Sequence, residues 1–515
     1  MSDPVFIGRR LDIPQVHAVA RAGAEVALEP AAGRALGATR QALMRALDAG
    51  RVIYGVNTGF GALCETRIGP ADLDKLQSNL LRSHAAGVGS ELEPTVVRAL
   101  LLLRAHTLAL GASGVSVELV ERLVQLLNRG VTPVVPSQGS VGASGDLAPL
   151  AHLGLPLIGE GEAWVAGQRL PGAEALRKVG LERFVLGPKE GLSLVNGTQL
   201  IAALGALTIY DVAEILAAAD IVGAMSLDAH MGTVTTCDPR IHAGKPHPGQ
   251  ATTAGIVARL IEGSALNASH SNCGRVQDAY SFRCMPQVHG AVRQAHRYAA
   301  HSVDIELNSL TDNPLVLSRP DGPPGSFDVV SGGNFHGATV ALPLDHLTAA
   351  LATLAAISER RVARQINPDT SRGLPPFLAD RPGLESGFMM LHVTASALAS
   401  ENKSQSFPAT VDSIPTSADQ EDHVSMGAAA ARKLTAVARN LAVVIAIEAA
   451  TAARALDLRQ AETSPVLKAV YQVVRRYCPP FSGDRSMGQE VEVLAEAIKR
   501  GELRRAAGLD LEVAA

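Results

Sequence analysis

The chain has 515 residues, more than a single hydrophobic core usually holds, so we expect two packed regions. Hydrophobic residues make up 47%, charged residues 19% and aromatic residues only 3%, which indicates a globular protein with an aliphatic core. The formal net charge is −4, and acidic and basic residues are interspersed. This excludes a broad basic face for nucleic acid or anionic lipid and favours a small neutral or zwitterionic substrate.

The five cysteines are widely spaced and contain no C-x-x-C pair, so the sequence predicts no metal site and no redox dithiol. The cysteines are therefore expected to be reduced thiols, as in cytoplasmic proteins. Charged residues among the first fourteen positions leave no room for a signal peptide, which also predicts a cytoplasmic protein. The longest apolar stretch, residues 441–447, falls well short of the roughly 20 residues of a membrane helix. We therefore expect a soluble protein.

Four stretches have apolar residues at spacings of three and four, which predicts long amphipathic helices. They cover residues 93–128, 198–231, 342–366 and 426–458. Gly111 and Gly114 are expected to kink the first of these helices. Long helices packed side by side predict a mainly α fold. In it, residues 1–197 form a smaller, loop-rich N-terminal domain, and residues 198–515 form a central helical-bundle domain with a C-terminal helical segment.

Loops rich in Gly, Ser, Asn and Pro separate these helices, and such loops on rigid scaffolds often carry functional residues. They are residues 54–61, 136–145, 264–273 and 331–337. Residues 319–325 (RPDGPPG) are expected to form a surface excursion. Residues 479–515 indicate little.

Residues 137–152 read SQGSVGASGDLAPLAH and place four small residues ahead of a helix that starts at Asp146. A phosphate-binding loop would need a Lys after Gly145, and a hydrolase elbow would need G-x-S-x-G around Ser144, so neither pattern is present. A tight turn with Asp146 as the helix cap fits the composition.

A chemical interpretation of the same turn is also open. If the turn is compressed, the Gly145 nitrogen can attack the Ala143 carbonyl, and dehydration at Ser144 then leaves an exocyclic methylidene. Gly145 suits this reaction because it has no Cβ to block ring closure. The product, a methylidene-imidazolone, is a strong electrophile that no ordinary side chain can imitate. Composition alone does not establish it.

The segment GSVGASGDLAPLAH closely resembles the signature of the histidine and aromatic amino acid ammonia-lyases. The resemblance continues in the expected order along nearly the whole chain. Its further segments are YGVNTGFG (54–61), VNGTQ (195–199), QDAYSFRC (277–284), GNFHG (333–337) and QEDHVSMG (420–427). The resemblance implies a carbon-nitrogen lyase in which Ala143, Ser144 and Gly145 cyclise autocatalytically to 4-methylidene-imidazol-5-one (MIO).

The elimination of ammonia from an amino acid is a difficult reaction, and an electrophilic cofactor would assist it. Elimination of ammonia removes a weakly acidic β-proton and expels a poor leaving group, and side chains alone would struggle to supply the rate enhancement. Covalent activation of the amine makes nitrogen a better leaving group. The resemblance offers Tyr54 and Tyr280 as catalytic bases without indicating which one abstracts the proton. To act as a base at neutral pH, a tyrosine needs a nearby positive charge that lowers the pKa of its phenol. The alternative for each tyrosine is a structural role, as a half-buried aromatic residue with its hydroxyl hydrogen-bonded.

Three further residues are candidates for substrate and cofactor binding. Arg283 follows Tyr280 by three residues, so both share a face if they lie on a helix, and its planar guanidinium suits an α-carboxylate. A surface salt bridge is the alternative for this arginine. Asn196 and Gln277 are similar to the amides that hold the cofactor ring oxygen and position the substrate in this family. Otherwise they are turn or helix-surface amides.

His84, preceded by Ser83, and Glu421 carry the expected selectivity, because tyrosine and phenylalanine lyases tend to have His-Leu or Phe-Leu at the first site and often Gln at the second. Ser-His with Glu resembles the histidine-specific members of the family. An imidazole needs a partner for each nitrogen, whereas a phenyl ring would leave such polar groups unpaired. Phe335 resembles a residue that lines the ring pocket, with core packing as the alternative. The expected reaction therefore converts L-histidine to urocanate and ammonia.

Other functions stay open at this point. They are a tyrosine or phenylalanine ammonia-lyase, a 2,3-aminomutase with the same cofactor, and an inactive lyase-like scaffold. The intact motifs argue against the inactive scaffold. The resemblance also implies a homotetramer in which helices from several chains complete each site. The Gly/Pro-rich stretch before GNFHG is longer than expected for the family, which leaves the placement of Phe335 open.

Overall fold

The structure is a computed structural model that describes residues 3–270, 273–274, 276–323 and 325–511. Parts of three segments singled out in the sequence lie outside the described residues. These parts are Ser271 and Asn272 of the loop 264–273, Pro324 of the excursion 319–325, and residues 512–515 at the end of the chain.

Helices dominate the described chain, which confirms the expected mainly α fold. The α-helices are α1 (Ile13–Arg21), α2 (Pro30–Asp48), α3 (Leu73–His84), α4 (Pro94–Ala109), α5 (Val117–Asn128), α6 (Leu147–Gly154), α7 (Gly172–Lys178), α8 (Glu190–Val195), α9 (Gln199–Ala229), α10 (Pro239–Ala243), α11 (Pro248–Ile261), α12 (Ala265–Ala268), α13 (Tyr280–Arg283), α14 (Met285–Leu307), α15 (Ala338–Ile366), α16 (Met389–Gln405), α17 (Gly427–Asp457), α18 (Pro465–Tyr477), α19 (Gly488–Lys499) and α20 (Glu502–Ala506). The strands are β1 (Val5–Ile7), β2 (Val26–Leu28), β3 (Val88–Glu91), β4 (Thr132–Pro133), β5 (Pro136–Gln138), β6 (Glu162–Val165), β7 (Gln168–Pro171), β8 (Leu315–Ser318) and β9 (Phe327–Val330).

The chain divides into two compact units, each assembled from segments that are distant in sequence. The first unit contains the chain up to residue 207 together with residues 301–344 and 408–432, and the second contains residues 208–300, 345–407 and 433–515. The long helices contribute residues to both units, which is why each unit is discontinuous. The domain division at residues 197 and 198 stays a prediction, because compactness does not show which stretches fold independently.

Three of the four long helices expected from periodicity are confirmed as α9, α15 and α17, within a few residues at each end. The fourth expectation is wrong, because α4 ends at Ala109 and a separate helix α5 begins at Val117. Gly111 and Gly114 lie between them with φ of +81° and +70°, a left-handed conformation that ends a helix rather than kinking it. The Ser116 hydroxyl then caps α5 by accepting a hydrogen bond from the Leu119 N–H.

The helices α9, α15 and α17 are long and apolar enough to cross a membrane, judged by length and composition alone. Isolated polar residues interrupt the apolar run in each of these helices without lowering the mean hydropathy much. Their most apolar 18-residue windows are 94%, 56% and 78% buried within the protein, respectively. Burial in the core accounts for the apolar character of α9, whereas α15 keeps a partly uncovered apolar surface.

The first unit combines α1–α8 with small sheets. Strands β1 and β2 pair in parallel, β4, β6 and β7 form an antiparallel sheet, and β8 and β9 form a hairpin whose connection is the expected excursion 319–325. Leu43, Ile53, Val56 and Val316 form one apolar cluster that joins α2 to this hairpin. Because Ile53 and Val56 belong to this cluster, the motif loop 54–61 starts from a fixed point.

The second unit contains the C-terminal helices α18, α19 and α20, which pack on one another. Helix α18 buries Leu467, Val470 and Val474 along one face, as its amphipathic pattern requires. The described part of segment 479–515 therefore adds helices to this unit.

Candidate active site

A cavity of about 910 Å³ in the first unit is lined by Ala143 and Ser144. Most of the expected site residues line the same cavity, although they come from five separate stretches of the chain. These residues are Tyr54, His84, Asn196, Phe335 and Glu421. The structure thus brings the family motifs of the first unit together around the Ala-Ser-Gly turn.

The turn itself is compressed against the segment that follows α8. Gly145 has a φ of +78°, and a Cβ placed on it would lie 2.2 Å from the Gly197 carbonyl oxygen. The next amide, Asp146 N–H, donates to that same oxygen at 2.7 Å. No residue other than glycine fits at position 145, because both the backbone angle and the close approach forbid a side chain.

A tight turn with Asp146 as the helix cap was one interpretation of the sequence, but the side chain of Asp146 does not cap the helix that follows. It occupies the N-cap position of α6, but its side chain makes no capping hydrogen bond there. The carboxylate instead accepts hydrogen bonds from the Leu200 N–H at 2.9 Å, the Ile201 N–H at 3.0 Å and the Ser140 hydroxyl at 2.9 Å. Asp146 therefore ties the turn to the first turn of α9. Burial raises the pKa of this carboxyl to about 6, against the hydrogen bonds that lower it.

We expect Asp146→Ala to lower the free energy of unfolding by about 3 kcal/mol, because it leaves two buried helix N–H groups without an acceptor. Denaturant unfolding followed by circular dichroism measures the change. Asp146→Asn is the matched control, since its oxygen can still accept from α9 and its NH₂ can donate to the Ser140 hydroxyl. Equal stabilities for the alanine variant and the wild type would contradict this role.

The raised pKa of Asp146 adds a pH dependence. A folded-state pKa above the unfolded value of roughly 4 means that folding favours the neutral carboxyl. The stability from this group is full below the unfolded pKa and is lost as the pH rises through about 6. Because asparagine does not ionise, the stability of Asp146→Asn relative to the wild type should increase between roughly pH 4 and about pH 6 and stay constant above that range.

Asn196 connects the turn to a buried arginine that the sequence analysis missed. Its amide Nδ2 donates to the Ser144 carbonyl oxygen at 2.7 Å, and its own backbone carbonyl accepts from Arg104 at 2.7 Å. Arg104 is fully buried and also donates to the Gln199 side chain at 3.0 Å. Burial lowers the pKa of Arg104 to about 10, and the charge of Asp312 opposes that shift. A single arginine inside the apolar run LLLLRAHTLAL of α4 was the signal that could have revealed it.

Glu421 lies directly on the Ala-Ser-Gly turn. Its Oε1 accepts a hydrogen bond from the Ser144 hydroxyl at 2.8 Å, and its Oε2 accepts one from the Thr416 hydroxyl at 2.6 Å. Ser144 and Glu421 lie 277 positions apart in sequence, so only the fold shows their contact.

His84 lies at the C-terminal end of α3, where its Nδ1 is 3.0 Å from the Leu80 carbonyl oxygen. A carbonyl can only accept, so Nδ1 carries the proton for this bond, and Nε2 is left as an acceptor. Burial lowers the pKa of His84, while the Leu80 carbonyl and the charge of Glu421 oppose this shift. The imidazole is therefore neutral at neutral pH.

Tyr54 accepts a hydrogen bond at its phenolic oxygen from the Gly61 N–H at 3.0 Å. Burial is the largest influence on this group and raises the pKa of Tyr54, while the Gly61 hydrogen bond lowers it. The charge of Glu421 raises the pKa further. The first unit thus holds Tyr54 as a neutral phenol, which favours proton donation over proton abstraction.

Gln277, Tyr280 and Arg283 belong to the second unit and are not among the described residues that line the cavity. Tyr280 and Arg283 are the first and last residues of α13, so they share one helical turn as expected. All three side chains are exposed. Among the residues that the structure describes, no group of three or more His, Cys, Asp and Glu side chains is arranged to hold a metal ion.

Comparison with known proteins decides the family. The profile of the family described as "Aromatic amino acid lyase" matches residues 11–476. The chain belongs to this family.

Relatives within the family point to a narrower group. This lyase is 51% identical to a histidine ammonia-lyase from Sorangium cellulosum, over 97% of this chain and 98% of that protein. It is 49% identical to a histidine ammonia-lyase from Koribacter versatilis, with 97% and 98% covered. Among solved structures, histidine ammonia-lyase from Trypanosoma cruzi matches with a TM-score of 0.90 and 39% identity, over 99% of this chain and 97% of that one. Tyrosine aminomutase from Streptomyces globisporus matches with a TM-score of 0.92 and 36% identity, and 98% of each chain is covered.

Proposed function

We propose that this lyase deaminates L-histidine non-oxidatively to trans-urocanate and ammonia. The observation that carries the proposal is the position of Glu421, which hydrogen-bonds to Ser144 and lines the same cavity as His84. A carboxylate and a neutral imidazole acceptor in one cavity match the two N–H groups of a protonated imidazole ring. The curated relatives named above are histidine ammonia-lyases.

We propose that MIO forms from Ala143, Ser144 and Gly145. Ring closure joins the Gly145 nitrogen to the Ala143 carbonyl carbon, and two water molecules leave, one of them carrying the Ser144 hydroxyl oxygen. The Ser144 carbonyl oxygen remains on the ring, and this is the oxygen to which Asn196 donates at 2.7 Å. The residues present therefore fit the group, and Gly197 lies so close to Gly145 that only a residue without a Cβ fits there. Once formed, the group supplies an electrophilic methylidene that activates the substrate amine.

The chain's own residues would bind and orient the substrate around this position. Glu421 and His84 are proposed to hold the imidazole, and Phe335, which also lines the cavity, to flank the ring. Arg283 is proposed to bind the α-carboxylate as a planar fork, and Gln277 to position the substrate. Tyr54 or Tyr280 abstracts the β-proton, and the burial of Tyr54 acts against its deprotonation.

We propose a homotetramer in which residues from several copies complete each site. Two features support this proposal. The motif side chains Gln277, Tyr280 and Arg283 are exposed, and the apolar window of α15 is only 56% buried. Exposed apolar surface of this kind is typical of contacts between subunits. Light scattering of the purified protein tests the tetramer. We also propose a cytoplasmic location, which fits five free cysteines.

The substrate is tested with the purified protein. L-Histidine should give urocanate, followed by its ultraviolet absorbance, with a kcat/KM at least about 10²-fold above that for L-tyrosine or L-phenylalanine, because a phenyl ring leaves Glu421 and His84 unpaired. Equal or faster release of coumarate or cinnamate would contradict the proposal.

A 2,3-aminomutase is the second candidate, and the similarity to tyrosine aminomutase favours keeping it. An aminomutase would return the amine to the β-carbon, so chromatography of the same reactions for β-histidine and β-tyrosine decides between the two functions. Accumulation of β-histidine in place of urocanate would establish the second candidate.

A further inference from the structure

The segment 276–283 in the second unit exposes some of its side chains and buries others. Val276 and Tyr280 are 97% and 69% exposed, and Gln277 and Arg283 are also exposed. Asp278, Ser281 and Phe282 are buried. The helix α13 has only four residues, and so short a helix is not stable by itself. The orientation of the outward residues must therefore come from contacts on the buried side.

Asp278 makes the first of these contacts. Its Oδ1 forms an ion pair with Arg372, and its Oδ2 accepts a hydrogen bond from the Thr233 N–H at 2.7 Å. Arg372 also donates to the Met231 carbonyl oxygen. Both carboxylate oxygens are thus engaged, and the chain is held one residue after Gln277 and two residues before Tyr280.

Arg361 makes the second contact, from within α15. Its guanidinium donates to the Ser281 carbonyl oxygen at 3.3 Å. The same guanidinium pairs with both Glu448 oxygens, at 2.5 Å and 2.9 Å, and both side chains are fully buried. Ser226 and Ser358 donate to Glu448 at 2.7 Å and 2.5 Å, so the carboxylate is saturated and the fork cannot rotate freely.

Two further contacts complete the support. The Phe282 ring stacks on His230, with ring centroids 4.4 Å apart and an interplanar angle of 14°. His289 lies with Nε2 3.3 Å from Arg361 and with Nδ1 2.7 Å from an oxygen of Asp220. Since the Asp220 carboxylate accepts from Nδ1, Nε2 is an acceptor for Arg361. The other Asp220 oxygen forms an ion pair with Arg293 at 2.5 Å, so the charge of this carboxylate is paired.

We propose that Arg361 and Arg372 are positioning residues that fix the outward geometry of Tyr280 and Arg283. Arg372 acts through Asp278, and Arg361 acts through the Ser281 carbonyl. The inference rests on the proposed function, because it assigns these arginines to the placement of the proposed proton-transfer and carboxylate-binding groups. Neither arginine lies in the sequence segments that carry the family resemblance.

The decisive variant is Asp278→Asn, which keeps an acceptor for the Thr233 N–H but removes the charge that pairs with Arg372. Misplacement of a binding group by about 1 Å can reduce the rate roughly 10²-fold. We therefore expect kcat/KM for L-histidine to fall roughly 10–100-fold, with the near-UV absorbance of the cofactor unchanged, because the Ala-Ser-Gly turn lies in the first unit.

Glu214→Gln is the matched control. Glu214 pairs with Arg504 in the same unit, with side-chain exposures of 4% and 16%, against 3% and 11% for Asp278 and Arg372. Both variants remove one carboxylate from a nearly buried arginine pair, so both should lower the melting temperature to a similar degree. Only Asp278→Asn should lose activity and accelerate hydrogen exchange over residues 276–283.

A pair of inhibitors separates positioning from general loosening. Imidazolepropionate carries a carboxylate for Arg283, whereas 4-ethylimidazole carries none. In Asp278→Asn, inhibition by imidazolepropionate should weaken roughly 10-fold while inhibition by 4-ethylimidazole stays unchanged, as expected when one charge-assisted pair is lost. Equal weakening of both inhibitors, or kinetics like those of Glu214→Gln, would overturn the inference.

Failure of the positioning inference can be distinguished from failure of the proposed function. If the wild type does not turn over L-histidine, the proposed function fails. Hydrogen exchange then decides the inference alone: unchanged exchange over residues 276–283 in Asp278→Asn overturns the anchoring, and faster exchange supports it.

Discussion

Replacement of Ser144 by alanine is expected to abolish the near-UV absorbance of the MIO group and to lower kcat for L-histidine by roughly 10³-fold or more. Alanine has no hydroxyl to lose, so the ring cannot gain its methylidene, and no other side chain supplies an equivalent electrophile. In the structure the hydroxyl donates a hydrogen bond to Glu421. The wild type loses the same hydrogen bond when the hydroxyl leaves during ring closure, so Ser144→Ala should fold with a melting temperature close to that of the wild type.

The measurement combines the ultraviolet difference spectrum, the rate of urocanate formation and the melting temperature. Ser137→Ala is the matched control, because Ser137 lies in the nearby strand β5 and is not among the described residues that line the cavity. Its hydroxyl contacts the Ser90 hydroxyl at 3.3 Å, so the control also removes one weak hydrogen bond. A fully active Ser144→Ala protein would show that the cofactor assignment is wrong.

The sequence predicted those parts of the fold that depend on local periodicity. Helices α9, α15 and α17 have apolar faces continuous enough to be found without the structure. The break between α4 and α5 was missed, because a glycine inside an apolar pattern does not show whether its φ is positive. The membrane-like composition of α9 was also missed, because scattered buried charges such as Asp220 divide its apolar run.

The candidate site was predictable as a set of residues and not as a set of contacts. The motifs identified Ala143 and Ser144, but the hydrogen bond from Ser144 to Glu421 joins positions 277 residues apart. Asp146 illustrates the same limit. A local rule assigned it to the helix that follows, while the fold brings the N-terminus of α9 within reach and uses the carboxylate there. Arg104 lies in none of the motifs, and its isolated position in the apolar run of α4 did not show that it contacts Asn196.

Glu421→Gln is expected to lower kcat/KM for L-histidine by roughly 10²-fold while leaving most of the near-UV absorbance in place. Glutamine keeps the size of the side chain and an oxygen that can accept from the Ser144 hydroxyl before ring closure. The Thr416 hydroxyl, now 2.6 Å from Oε2, can reverse and accept from the new NH₂ group. What is lost is the negative charge facing the substrate ring. Urocanate formation and the difference spectrum measure the two effects separately.

Asp422→Asn is the matched control for this prediction, because Asp422 lines the same cavity and carries the same charge. A contribution from overall charge would affect both variants alike, whereas direct recognition of the imidazole affects only Glu421. The ratio of kcat/KM for L-histidine to that for L-tyrosine is the sharpest readout. It should fall in Glu421→Gln and stay near the wild-type value in Asp422→Asn, because a pocket selects by the polar groups that a wrong substrate leaves unpaired. If the near-UV absorbance vanished in Glu421→Gln, the bond to Ser144 would serve cofactor formation, and the selectivity would have to come from His84 alone.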